Sequence, residues 1–391
     1  MPAMRQVALL IETSRGFGRG LLRGVAQYCR ENSNWATHFR PHGLGDACLD
    51  WISDWRGDGI LVRTENERIA DAVRRPGVPV VELLGKLKHQ QQVPMVRVND
   101  RSIAKIAAQH LLDRGFHNFG CCGYRIGNYP FLDIRVGAFR QYIEEAGYPC
   151  SMLHVYDLYV GKSRLSWERQ QARIAEWVKQ LPKPVGVMAV TDDRAFDILG
   201  ACRMIGALVP DEVALIGVDN DECIGQLTIP PLTSIDPDPP RIGYRAAALL
   251  DSLMDGDPPP SEIIYIEPRG LVKRQSTDVL AVDDVAVSEA IRYIRENACH
   301  AIHVSDVLAH VRSSRVTLET GMKRAIGRTI HQEIHRVRIE TARQLLAATN
   351  LPVKKIAVDS GFRTVQYLTR VFTEAVGIAP ARYRRQSRIE P

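Results

Sequence analysis

The feature that most constrains the fold is an alternation of short apolar runs and amphipathic helical segments across roughly the first 270 residues. Apolar runs such as VALLI (7–11), GILV (59–62) and VALIGV (213–218) are typical of buried strands, and helical patterns separate most of them. Strands that alternate with helices form parallel sheets. Two groups of runs, before and after about residue 105, predict two α/β lobes with a ligand cleft at the carboxyl ends of their strands.

The pattern changes in the last quarter of the chain. After residue 285 there are no strand-like runs, and the apolar residues recur at helical spacing, most clearly over Ile330–Ala348. This predicts an all-α domain behind the α/β part. The predicted boundaries are a ligand-binding domain of two lobes at 1–275, a linker at 276–284 and a helical domain at 285–391.

Charge divides the chain in the same way. Residues 285–391 contain 18 Lys and Arg against 9 Asp and Glu, whereas the remainder has a net charge of −3 out of a total of +6. A basic domain on an acidic body is typical of a module that binds nucleic acid, although a merely solvated basic surface is the alternative.

The sequence favours a cytoplasmic protein. The eight cysteines are scattered without a C-x-x-C pair, as expected for reduced thiols. The first apolar run is too short for a signal peptide, and no run approaches the length of a membrane span, so we expect no membrane partner.

The glycine-rich turn GFGRG (16–20) raises the question of a dinucleotide-binding loop. The fingerprint G-x-G-x-x-G places its third glycine where this chain has Leu21, and it needs a later acidic residue that this chain does not supply. We therefore interpret the turn as an ordinary strand-to-helix connection from which Arg15 projects into the cleft, and we expect no cofactor.

Residues 187–256 carry the most specific pattern of the α/β part. An apolar strand is followed by TDDRA (191–195), a second strand by GVDN (217–220), and then by PPLT (230–233). These elements resemble the ligand-binding core of the lactose and purine repressor family, as does RVGAF (135–139) upstream. The resemblance implies a periplasmic-binding-protein type of fold with a small-molecule ligand.

Two carboxylates are the main ligand candidates. Asp192 and Asp219 each follow an apolar strand, which places them at the carboxyl edge of a sheet. Carboxylates accept hydrogen bonds from the vicinal hydroxyls of a sugar, and the resemblance supports this role. The alternative is that both residues are helix N-caps.

Four further residues are candidates around the same ligand. The resemblance supports Arg135 as a donor to a sugar oxygen. We also expect Glu12 to project into the cleft, and the rings of Phe17 and Phe131 to cover the apolar face of the sugar.

Two catalytic interpretations are weaker. Paired carboxylates could serve a glycosidase if they flanked a scissile bond, but nothing else marks Asp192 or Asp219 as a catalyst. The segment HQEIH (331–335) places two histidines four residues apart, yet its Glu is not beside the first His, as H-E-x-x-H requires. We expect neither an enzyme nor a metal site.

The basic domain contains two units that predict helix-turn-helix motifs, at 304–324 and 353–375. The segment SGFRTVQYLTRVFTEAVGIAPARYRR (360–385) resembles the signature of the arabinose-operon activator (AraC/XylS) family. Such a motif places the start of its second helix in the major groove. The base-reading candidates are Arg315, Thr317, Arg363, Thr364 and Gln366, with Arg370 expected at phosphate or a neighbouring acid.

The order of the two parts identifies the class of regulator. A repressor-type sugar sensor followed by an activator-type tail resembles the regulators of sugar operons, notably in LVPDEVALIGVDN (208–220) and CHAIHVSDVL (299–308). This implies a homodimeric transcription activator that binds operator DNA, responds to D-xylose or a close aldopentose, and acts on RNA polymerase. A regulator for another sugar or a nucleoside, and a sugar-active enzyme with a DNA-binding tail, remain the alternatives.

Overall fold

The structure is a computed structural model that describes residues 4–32, 35–44, 51–52, 54–74, 76–84, 93–156, 166–279, 284–300 and 302–387. The chain forms two compact units. Unit 1 consists of residues 1–109 and 117–278, and unit 2 of residues 110–116 and 279–391. Four residues of the predicted linker, 280–283, lie outside the described residues.

Unit 1 contains two lobes. The first lobe is built on the parallel sheet β2-β1-β3-β4. The strand β3 is buried throughout, and β1 is buried over its last four residues, as expected for central strands covered on both faces. The elements of this part are β1 (Arg5–Leu10), α1 (Gly16–Asn32), β2 (Trp35–Phe39), β3 (Gly59–Val62), α2 (Glu67–Arg74), β4 (Val80–Glu82), β5 (Val96–Val98) and α3 (Asp100–Leu112).

The second lobe is built on a six-stranded sheet of order β12-β10-β9-β8-β6-β7, parallel except for β12. The core strands read as unbroken apolar runs, as expected for strands covered on both faces. The elements are β6 (Asn118–Tyr124), α4 (Pro130–Glu145), β7 (Cys150–Val155), α5 (Trp167–Gln180), β8 (Val185–Ala189), α6 (Asp192–Ile205), β9 (Val213–Val218), α7 (Glu222–Leu227), β10 (Thr233–Asp236), α8 (Pro239–Met254), β11 (Ile264–Ile266) and β12 (Gly270–Val272).

The two lobes are not contiguous in sequence. The chain leaves the first lobe after β5, but α8 returns to pack on α1, β3 and β4 before β12 joins the second sheet. A single division near residue 105 is therefore too simple. The strands β5 and β11 pair in parallel where the chain passes between the lobes.

Helices α1 and α8 approach each other unusually closely. A Cβ atom at Gly24 would lie 1.8 Å from the Pro240 carbonyl oxygen, and one at Gly243 would lie 2.0 Å from the Leu21 carbonyl oxygen. Glycine at these positions lets the backbones touch, so the glycines of α1 serve helix packing.

Unit 2 is helical. One core gathers α9, α10, α11 and the start of α12, and a second core gathers the end of α12 with α13, α14 and α15. The helix α12 spans both cores, as its long periodic pattern predicts. The helices are α9 (Val285–Asn297), α10 (Val304–Val311), α11 (Arg315–Ile326), α12 (Ile330–Ala348), α13 (Val353–Asp359), α14 (Val365–Val376) and α15 (Pro380–Ser387).

Candidate ligand site and nucleic-acid interface

The main ligand candidate, Asp219, lies in a strained turn at the carboxyl end of β9. Asp219 and Asn220 adopt φ angles of +113° and +48°, a region that Asp and Asn tolerate better than other non-glycine residues. The Asn220 backbone N–H donates to the Ser234 hydroxyl at 3.0 Å, which fixes the turn against β10. Strained backbone that neighbouring contacts hold in place is common at ligand sites.

The Asp219 carboxylate is left free to accept hydrogen bonds. Among the described residues its side chain makes no hydrogen bond or ion pair with the protein, although it is half-buried. The pKa of the Asp219 carboxyl is raised to about 7, mainly by burial and also by the Asp193 carboxylate, while the positive charges of Arg135, Arg15 and Arg63 partly offset this rise. A carboxylate with unused acceptors beside three arginines suits a polar ligand rich in hydroxyl groups.

Asp192, the second carboxylate candidate, is already occupied by the protein. It is 1% exposed, accepts from the Ser234 hydroxyl at 2.6 Å and accepts from the Asp221 backbone N–H at 2.8 Å. Burial and the neighbouring Asp219 carboxylate raise the pKa of Asp192 well above its usual value, while the two hydrogen bonds lower it. These contacts hold the turn that carries Asp219.

The N-cap residues of α6 and α7 are Thr191 and Asp221, which are sequence neighbours of the ligand candidates Asp192 and Asp219. Thr191 caps α6 by accepting from the Arg194 N–H, and Asp221 caps α7 by accepting from the N–H groups of Cys223 and Ile224. Neither Asp192 nor Asp219 is therefore an N-cap.

Arg135 of α4 is buried and fully engaged. Its Nε and Nη2 atoms donate to Asp100 at 3.0 and 2.8 Å, and Nη1 donates to the Val190 carbonyl. Arg97 shares Asp100 at 2.7 Å, and its guanidinium lies 5.8 Å from the centre of the Phe131 ring. Arg135 therefore adds positive charge to the surroundings of Asp219. The Phe131 ring makes a cation–π contact with Arg97.

The first-lobe candidates form one cluster at the ends of β1 and β3. Glu12 is fully buried and pairs with Arg63 at 2.8 Å. The Arg63 guanidinium also lies 5.7 Å from the centre of the Phe17 ring. Glu12 further accepts from the Ser14 hydroxyl at 2.7 Å and the Arg15 N–H at 3.1 Å.

The sequence interpretation included Arg15 in the cleft but missed Arg63 and Arg97. Arg63 directly follows β3, much as Glu12 lies two residues after the end of β1. The rule that residues at the carboxyl ends of parallel strands share a site could have found Arg63. No local pattern marks Arg97.

The segment at 331–335 is explained by packing. The Glu333 carboxylate is buried and pairs with Arg336 at 2.8 Å and with Arg328 at 3.0 Å. His335 lies 3.3 Å from the Tyr367 hydroxyl, and burial lowers the pKa of the His335 imidazole to about 4. In the described part of the chain no three His, Cys, Asp or Glu residues group so as to hold a metal ion.

Both helix-turn-helix units of unit 2 are present. The first joins α10 to α11 through Arg312, which adopts φ +51° where a turn glycine is usual. The second joins α13 to α14 through Gly361, at φ +80°. A Cβ at Gly361 would lie 2.6 Å from the Ala298 carbonyl oxygen, so this turn needs glycine.

The predicted base-reading residues all lie at the exposed starts of the second helices. In the first unit the Ser314 hydroxyl caps α11, and Arg315 lies 3.2 Å from Glu319. In the second unit Thr364 caps α14 by accepting from the Tyr367 N–H. All six DNA-contact candidates are exposed: Arg315, Thr317, Arg363, Thr364, Gln366 and Arg370.

Known protein families match both the α/β unit and the helical unit of this chain. Residues 6–100 match the XylR N-terminal domain, residues 108–277 the periplasmic binding protein-like domain and residues 307–386 the helix-turn-helix domain. The xylose operon regulatory protein of Escherichia coli K12 is 32% identical over 97% of this chain and 96% of its own length. That of Haemophilus influenzae is 30% identical over 97% of this chain and 98% of its own.

The chain belongs to the family of xylose operon regulatory proteins. The solved structure of the xylose-binding transcription activator XylR is 30% identical, covers 98% of both chains and aligns with a TM-score of 0.63. The family consists of transcription regulators, which confirms the prediction of a DNA-binding regulator over that of a sugar-active enzyme.

The α/β fold is shared more widely. The regulator CelR in its cellobiose complex is 20% identical and aligns over 71% of this chain with a TM-score of 0.57. This likeness confirms the predicted two-lobed parallel fold. Across the described ranges, no helix is long and apolar enough to cross a membrane.

Proposed function

We propose that this member of the xylose operon regulatory family binds D-xylose, or a close aldopentose, in the cleft of unit 1. The observation that carries the proposal is the half-buried Asp219 carboxylate, which has no side-chain hydrogen-bond partner among the described residues and lies in the positive field of Arg135, Arg15 and Arg63. A pentose is neutral and presents neighbouring hydroxyls, so a free carboxylate is a suitable acceptor. Hydrogen bonds to charged groups contribute roughly 1.5–3 kcal/mol each.

The other site residues take distinct roles in this proposal. Asp219 contacts the sugar directly, and the rings of Phe17 and Phe131 cover its apolar face. Asp192 and Arg135 act by holding the Asp219 turn and its electrostatic field, because their hydrogen-bonding groups are engaged by the protein. Glu12 orients Arg63 in the same way.

We propose that the sugar signal reaches DNA through a homodimer of this chain in the cytoplasm. The ligand-binding domain covers 1–275, the linker 276–284 and the DNA-binding domain 285–391. Sugar binding favours one of two states, and this state brings two DNA-binding domains into register on repeated half-sites. On this proposal the chain is an activator, and RNA polymerase is its partner at the promoter.

A thermal-unfolding panel tests the ligand. The wild-type chain is heated with D-xylose, L-arabinose, D-ribose, D-lyxose, several hexoses and adenosine. A ligand present at 100 times its dissociation constant adds about 2.7 kcal/mol of stability. A shift with D-xylose that exceeds every other shift supports the proposal. A larger shift with a hexose or adenosine would show that the ligand is not a pentose. It would leave the proposal of a ligand-binding domain joined to a DNA-binding domain unchanged.

A further inference from the structure

One carboxylate caps two helices that belong to different lobes. The Oδ1 atom of Asp221 accepts from the Cys223 N–H at 2.9 Å, at the start of α7 in the second lobe. Its Oδ2 atom accepts from the Gly16 N–H at 3.1 Å, at the start of α1 in the first lobe. The partial positive charge of a helix N-terminus favours a carboxylate there. The position that a phosphate would take in a dinucleotide loop is therefore filled by an acid from the opposite lobe.

Two charge pairs accompany this cap. The Arg15 Nε lies 3.1 Å from the Asp193 Oδ2, with the side chains 19% and 25% exposed. The Arg19 Nη2 lies 3.9 Å from the Asp221 Oδ2. All three contacts join the start of α1, including Arg15 just before it, to acidic residues of the second lobe.

Glycine is required for this approach. A Cβ atom at Gly16 would lie 2.4 Å from the Asp221 Oδ2 atom, far inside the closest contact that carbon and oxygen tolerate. Alanine at this position would therefore displace the Asp221 carboxylate and break its contact with α1. The first glycine of GFGRG thus has a role that neither a phosphate loop nor helix packing explains.

The same short segments carry the ligand candidates. Asp193 follows Asp192, and Asp221 lies two residues after Asp219. The Asp221 N–H is held by Asp192 at 2.8 Å. Ordering of the Asp219 turn by a ligand would therefore also order the groups that contact the first lobe.

We propose that Arg15, Gly16, Arg19, Asp193 and Asp221 form a lobe clasp that holds the cleft closed and so sets the affinity for sugar. The inference rests on the proposed function of the cleft. The apparent dissociation constant equals the intrinsic constant divided by the fraction of molecules in the binding-competent state. A clasp that raises the closed fraction therefore tightens the binding of a neutral sugar without touching it.

A charge-swap cycle tests the Arg15–Asp193 pair. The variants are Arg15→Glu, Asp193→Arg and the double variant, each titrated with D-xylose by calorimetry. Each single change is expected to weaken binding about two- to fivefold, and the double variant is expected to recover most of that loss. If Arg15 acted only by touching sugar, Asp193→Arg could not rescue Arg15→Glu, and that result would overturn the clasp.

A matched glycine pair tests the close approach. Gly16→Ala is expected to raise the dissociation constant for D-xylose by about tenfold or more, because the closed fraction falls. Gly137→Ala is the control, since Gly137 also lies in a helix and a Cβ there meets nothing within 4 Å. Equal affinities for the two alanine variants and the wild type would overturn the proposal.

A measurement on the sugar-free chain tests the clasp independently of which ligand the cleft binds. Hydrogen–deuterium exchange is followed in the first turn of α1 in the sugar-free full chain. The clasp predicts faster exchange there in Gly16→Ala and in each single charge variant, and slower exchange again in the double variant. Unchanged exchange would overturn the clasp. Failure of the wild type to bind any sugar in the panel would instead overturn the proposed function, and the exchange data would still decide the clasp.

Discussion

The Oδ2 atom of Asp192 accepts a hydrogen bond from the backbone N–H of Asp221 at 2.8 Å, while Oδ1 accepts from the Ser234 hydroxyl. Asp192→Ala removes both acceptors from buried donors, so it is expected to lower the free energy of unfolding by about 1–3 kcal/mol. Denaturant unfolding at neutral pH measures this change. The same variant should bind sugar weakly, because the Asp219 turn loses its support.

Asp192→Asn is the informative partner of that variant. Asparagine keeps one acceptor oxygen and removes the repulsion between two close carboxylates. If Asp192 acts by holding the turn, Asn should retain sugar affinity within about threefold, since the turn survives. A folded Asp192→Asn variant without sugar binding would instead favour direct contact between Asp192 and the ligand.

Asp219 should make stability depend on pH. Its folded-state pKa of about 7 lies above the ordinary value of 3.8 for an aspartate, so between about pH 4 and 7 the folded state holds more protons than the unfolded state. The free energy of unfolding therefore falls as pH rises through this window and levels off above it. At pH 8, Asp219→Asn should be more stable than the wild type by roughly 1–3 kcal/mol.

Melting curves at pH 5, 6, 7 and 8 check this prediction. The stability difference between Asp219→Asn and the wild type should grow with pH, because the wild type alone must ionise the buried carboxyl. A stability difference that stays constant over the four pH values would show that the pKa of Asp219 is not raised in the folded state.

Arg363 and Arg370 should affect DNA binding differently. Arg363 is exposed just before α14, where a helix-turn-helix reads base edges, so Arg363→Ala should weaken specific binding by about 1–3 kcal/mol. Arg370 lies further along the helix, with its guanidinium 5.2 Å from the centre of the Tyr367 ring. Arg370→Ala should weaken binding to all sequences and reduce the salt dependence by about one phosphate contact.

Fluorescence anisotropy over a range of salt concentrations separates the two effects. The probes are a duplex selected by the wild-type chain from random-sequence DNA and a scrambled duplex of equal composition. Equal losses on both duplexes for Arg363→Ala would remove Arg363 from the base-reading set.

Gly321 should be intolerant of alanine although it lies within a helix. Helix propensity alone favours alanine over glycine by about 1 kcal/mol. A Cβ at Gly321 would, however, lie 2.5 Å from the Val287 Cγ2 of α9. Overpacking of this kind costs about 1–3 kcal/mol, so Gly321→Ala should lower the melting temperature of unit 2. Val287→Ala in the same chain should restore part of the loss, and the absence of any rescue would contradict the packing explanation.

Long-range periodicity made much of the fold predictable. The helix α12 has the predicted bounds, Ile330–Ala348, because an amphipathic pattern over five turns leaves little choice. Apolar residues that recur at helical spacing in the second helix-turn-helix unit are buried for the same reason: Ile356, Ala357, Phe362, Leu368 and Phe372.

The edges of the sheets were not predictable in the same way. The strands β2 (WATHF) and β7 (CSMLHV) mix polar and apolar residues because each lies at the edge of its sheet and faces solvent in part. The strand β12 is only three residues long. The return of α8 to the first lobe depends on contacts between distant residues, which no local pattern encodes.

For the candidate ligand site, the sequence predicted the positions of the residues better than the role of each residue. The rule that strand ends carry ligand groups placed Asp192, Asp219 and Glu12 correctly at the sheet edges. It could not tell that Asp192 is occupied by Ser234 and Asp221, whereas the Asp219 side chain has no partner in the part of the chain that the structure describes. That distinction depends on hydrogen bonds over 29 and 42 positions of sequence.

The most direct test of the account measures operator binding with and without sugar in the wild type and in Asp219→Ala. The probe is the duplex selected by the wild-type chain in the presence of D-xylose, followed by fluorescence anisotropy. The account predicts that D-xylose tightens specific binding by the wild type, that Asp219→Ala loses this response, and that the variant still binds scrambled DNA normally. An Asp219→Ala variant that responds to D-xylose as the wild type does would contradict the account.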